Sequence, residues 1–79
     1  MIKLKNIQIN NSVIECDIYP EDSLQAGHIV VDTETKAVRE LKLPIGYEWC
    51  KNHANHAKNK LLEFIEIEKI PEEKLIMWN

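Results

Sequence analysis

The segment Cys50-Lys51-Asn52-His53-Ala54-Asn55-His56 gathers the groups of this chain best suited to chemistry. One thiol and two imidazoles at Cys-x2-His-x2-His spacing are the ligand types that zinc uses. On a helix, successive i,i+3 positions lie about 60° apart, so Cys50 and His56 are separated by about 120°. A metal could take two of these side chains but not all three, and a further ligand, His28, would have to come from elsewhere. The metal-ligand candidates are therefore Cys50, His53, His56 and His28. The same thiol with His53 as base would be a nucleophile, yet catalytic pairs of this kind need a cleft and oxyanion donors. A cysteine on the apolar stripe of a helix behaves as a small hydrophobe. No Walker A, Gly-x-Gly-x-x-Gly, Gly-x-Ser-x-Gly or calcium-loop pattern occurs, so the expectation is no catalysis and no cofactor.

These residues need elements to hold them, and the period of the hydrophobic pattern supplies them. Ile14, Cys16 and Ile18 alternate with Glu15, Asp17 and Tyr19, the signature of a half-buried strand. Ile2-Leu4 and Ile7-Ile9 alternate with opposite parity, which predicts a bulge near Lys5-Asn6. Asn10-Asn11 suits a tight turn, so residues 2–9 and 12–19 should pair antiparallel. Residues 28–32 read as a central strand, and a turn at 33–36 returns the chain through 37–43 to Pro44. A helix follows from Tyr47 to Glu66, with Tyr47, Cys50, Ala54, Ala57, Leu61, Phe64 and Ile65 in one arc. Pro71 opens a turn through Glu72-Glu73, and residues 75–78 form a last short strand. The predicted fold is α+β: one small domain over residues 1–79, an antiparallel meander of about four strands covered by one long helix, with a short C-terminal strand.

Composition limits what such a domain does. With 79 residues, 44 % hydrophobic and 29 % charged, the chain is ordinary globular material with a marginal core, and small domains often lean on a partner subunit. The net charge is −3 and Arg39 is the sole arginine, which argues against nucleic acid. Lys51, Asn52, Asn55, Lys58 and Asn59 could contact a duplex, but the pattern also describes a solvated helix face. No long apolar run or secretory leader is read, so the expected setting is the cytoplasm, with Cys16 and Cys50 as free thiols. Trp49, His53, His56 and Lys60 line one flank of the helix, and Trp78 needs something to pack on. These five are the interface candidates for a protein partner or a homo-oligomer.

The stretches His28-Ile-Val-Val-Asp-Thr-Glu-Thr, Leu43-Pro-Ile-Gly-Tyr-Glu-Trp-Cys-Lys-Asn-His-Ala-Asn-His-Ala and Ile70-Pro-Glu-Glu-Lys-Leu-Ile-Met-Trp resemble short uncharacterised bacterial proteins of the Gram-positive type. The resemblance implies no activity and no functional residues. The function expected from the residues is a small interaction or self-associating module, with metal binding, nucleic-acid association and thiol-dependent catalysis as alternatives.

Overall fold

In the computed structural model, which describes residues 1–78, the chain forms β1 (Ile2–Asn10), β2 (Val13–Pro20), β3 (Gly27–Asp32), β4 (Val38–Lys42), α1 (Lys51–Glu66) and β5 (Glu73–Ile76). The strands make one antiparallel sheet in the order β4-β3-β2-β1-β5. Three successive hairpins build the meander. After β4 the chain stands at one edge of the sheet, and β5 pairs with β1 at the other. The connection must cross the sheet, and the 16-residue helix does so. Its length of about 24 Å exceeds the ~19 Å between the outer strands of five. It lies against β1, β2 and β3, so the two edges receive least cover.

The predicted bulge is present. Register shifts between Lys5 and Gln8, where Asn6 takes a left-handed φ of 55° and its side-chain amide donates to Asp17 Oδ2 at 2.8 Å. This keeps Ile2 and Leu4, then Ile7, on the face that meets the helix. Those residues join Ile14, Cys16, Ile18, Ile29 and Val31 from the sheet with Ala57, Leu61 and Phe64 from the helix in one core. β-Branched side chains dominate the sheet half, as a pleated surface favours. The small residues Ala54 and Ala57 are buried at the interface and let the helix sit close.

Two predicted boundaries are corrected. The helix begins at Lys51, not Tyr47. Gly46 takes φ 88°, and Tyr47 N–H to Pro44 O (2.9 Å) and Cys50 N–H to Tyr47 O (3.0 Å) close tight turns before it. Periodicity alone could not separate those turns from a first helical turn. Tyr47 instead donates its hydroxyl to Asp22 Oδ1 at 2.6 Å. The final strand is Glu73–Ile76, not 75–78, and Glu73 is its first residue. It starts early because Ile7 N–H, just past the bulge, reaches Glu72 O at 3.0 Å and extends the pairing with β1. Trp78 lies beyond the sheet.

Candidate interaction surfaces

Cys50 is the N-cap residue of α1, fully buried, with no side-chain capping bond. Burial pushes its thiol pKa up, and the Glu21 charge adds to the rise against a smaller opposing effect of the terminal ammonium. His53, one turn on, is 9 % exposed. Its Nε2 lies 2.8 Å from Glu21 Oε2, an oxygen that also accepts from the Met1 ammonium. Those two donors, the ammonium first, hold the Glu21 carboxyl below the usual carboxylate range. His53 Nδ1 is buried with no hydrogen-bond partner, so Cys50 and His53 do not form the thiol–imidazole pair that a nucleophile would need. The arrangement is a clamp that ties the chain start and the end of β2 to the helix.

The flank of α1 is closed by its own chain. Trp78 stacks on His56 with ring centroids 4.0 Å apart and planes 19° from parallel. Its edge also meets His53 at 4.9 Å, while Trp49 meets His53 from the other side at 5.5 Å. Lys60 pairs with Glu63 at 3.2 Å. Of the five interface candidates, His53, His56 and Trp78 face one another, and Trp49 remains 65 % exposed.

His28 lies elsewhere. In β3 it alternates with Ile29 and Val31, so its side chain is on the sheet face opposite the helix. The four metal-ligand candidates are therefore not brought together, which corrects the pairing of His28 with the helix. Among the described residues no group of three His, Cys, Asp or Glu could hold a metal ion. His28 is bracketed by cross-strand carboxylates instead: Nδ1 is 3.0 Å from Asp17 Oδ1 and Nε2 is 3.0 Å from Glu15 Oε1. An acceptor at each nitrogen favours a proton on both. Burial works against that charge, but the bonds to Asp17 and Glu15 outweigh it and raise the imidazole pKa. The Asp17 carboxyl is lowered, chiefly by Asn6 and then by His28.

Beside this cluster, Lys3, Lys5, Tyr19 and Leu75 line a shallow groove of about 440 Å³, with the Lys5 ammonium 5.4 Å from the Tyr19 ring centroid. At one end of the molecule Leu24 and Ile45 project 96 % and 84 % exposed. Along the outer edge, all five residues of β4 are exposed. Sequence reading did not single out Glu21, the Glu15–His28–Asp17 cluster or the β4 edge. Alternation placed Glu15 and Asp17 on the wet face, so their meeting with His28 needed only the β2–β3 register. Glu21 joins His53 across 32 positions, and no local pattern signals that.

No family model, no curated protein and no solved structure matches this chain.

Proposed function

We propose that the protein is a small non-catalytic interaction module that associates with copies of itself. The observation that carries this reading is β4, a strand exposed along its whole length at the sheet edge, with Val38 and Leu41 each 41 % exposed. Such an edge offers backbone donors and acceptors for another strand. The groups that could do chemistry are already spent: Cys16 and Cys50 are sealed in the core, His53 is held by Glu21, and His28 by two carboxylates. The setting proposed is the cytoplasm of a bacterium, where buried thiols stay reduced. No helix among the described residues is long and apolar enough to cross a membrane.

Sedimentation equilibrium on the untagged chain from about 10 µM to about 1 mM tests the reading, since weak dimers dissociate within that range. Mass that rises reversibly with concentration is expected. A single 9.2 kDa species throughout would overturn self-association.

A further inference from the structure

We propose that the partner strand is β4 of a second copy, paired antiparallel about a two-fold axis through Leu41, joining two five-stranded sheets into one. The proposal deepens the self-association reading and rests on it.

Three observations lead there. The first is backbone direction. The Lys42 carbonyl oxygen lies against Gly27, within 2.2 Å of where a Cβ would stand, so it points inward to β3. Polar groups alternate along a strand, so those of Leu41 point outward. A two-fold at Leu41 lets its N–H and C=O pair with the same groups of the second copy.

The second is charge. A two-fold perpendicular to the sheet keeps each face with its like, so residues opposite one another share a face. The axis must then pass through a residue. Centred on Glu40 it sets two glutamates opposite each other, and centred on Lys42, two lysines. Centred on Leu41, it sets Glu40 against Lys42 of the second copy, twice, with Leu41 against Leu41 on the helix side. Among the described residues neither Glu40 nor Lys42 forms an ion pair within the chain. The other edge lacks this complementarity: axes through Glu73 or Lys74 of β5 oppose like charges, and one through Leu75 sets Lys74 against Ile76.

The third is length. β4 carries an extra residue, Arg39, between the partners of Val30 and Val31, and Pro44 follows Leu43. The bulge ends regular pairing at Arg39, and the axis through Leu41 sets Leu43 opposite Arg39 of the second copy, which leaves residues 40–42 as the window. The two-fold uses the same edge of both copies, so the ladder closes on two and does not propagate.

The test is charge reversal in the full chain, read by sedimentation equilibrium, with circular dichroism to show that each variant stays folded. Glu40→Lys and Lys42→Glu each oppose like charges at both symmetric positions, and each should weaken the dimer about tenfold. The double variant restores opposite charges and should recover wild-type affinity. Independently, Leu41→Cys should form a disulfide-linked dimer on oxidation, because both native thiols are buried. If the wild type associates but the single reversals leave affinity unchanged, or the double variant fails to rescue it, pairing through β4 is overturned while self-association stands. A wild type that is monomeric throughout, with no cross-link from Leu41→Cys, overturns both.

Discussion

A thiol in a protein of this size draws suspicion of reactivity, and the surroundings of Cys16 and Cys50 oppose it. Both are fully buried. Burial, followed by the charges of Asp17 and Glu15, pushes Cys16 up to about 12, and Cys50 is raised chiefly by burial. The thiolate is the reactive form. Both thiols should therefore resist iodoacetamide at neutral pH in the folded protein and react together on unfolding. Fast labelling of Cys50 alone in the native state would revive the thiol-enzyme alternative. His28 gives a second expectation. A raised imidazole pKa contributes stability that is full below its ordinary 6.5 and lost as pH rises through the folded value. A lowered Asp17 pKa contributes stability present above its ordinary 3.8 and lost as pH falls through the folded value. The cluster therefore contributes most between those ordinary values and fades on either side. The groups are partly exposed, so solvent screening leaves only about 0.5 kcal/mol. Unfolding free energies from urea curves at pH 5.5 and 8.5 should contain about that difference from the cluster, and His28→Gln should remove that part of it.

At the scale of elements, the approach of β4 to β3 depends on Gly27. A Cβ there would meet Lys42 O at 2.2 Å, Pro44 Cδ at 3.0 Å and Ile18 Cγ1 at 3.1 Å. The first of these atoms is backbone and cannot swing aside. Gly27→Ala should cost about 2–3 kcal/mol, a large share of what so small a domain has. Urea denaturation measures the loss, and hydrogen exchange should place it in the β3–β4 pair. Unchanged stability would mean that β4 sits farther from β3 than described. The helix draws little from its own ends. It has no acidic residue in its first turn and no basic residue in its last, and its C-terminus is followed by Glu68 in a left-handed conformation at φ 54°. Burial of Ala54, Ala57, Leu61 and Phe64 against the sheet holds it.

For the whole molecule, the metal reading and the interaction reading part on one measurement. With His28 on the opposite sheet face and His56 stacked on Trp78, a chelator should leave the melting temperature where it is. Any drop on treatment with EDTA, restored by zinc, would reopen the metal alternative. The molecule instead uses His53, His56 and Trp78 to tie its chain start and tail to the helix, keeps His28 between two carboxylates on the far sheet face, and leaves that polar face and a charged edge to the outside.

The α+β class, the first hairpin, the Asn6 bulge and the core face of the helix were all legible in the sequence, because each depends on a period of two or 3.6 in local side chains. The alternation of Ile14, Cys16 and Ile18 against Glu15, Asp17 and Tyr19 already assigned both faces of β2. Composition and the absence of phosphate-binding or nucleophile motifs shaped the expectation of an interaction module, and the proposed function follows that expectation. Tertiary structure decided what depends on distant partners. The order β4-β3-β2-β1-β5 follows from pairing across the whole chain, with β1 taking β5 on its free side. Glu21 meets His53, and Trp78 folds back onto His56, because the helix crosses the sheet and returns the chain end to its start. Periodicity carries no information on such meetings. They decide whether a histidine is a ligand, a base or a strut, and here His53 is tied to Glu21 and His28 to Glu15 and Asp17.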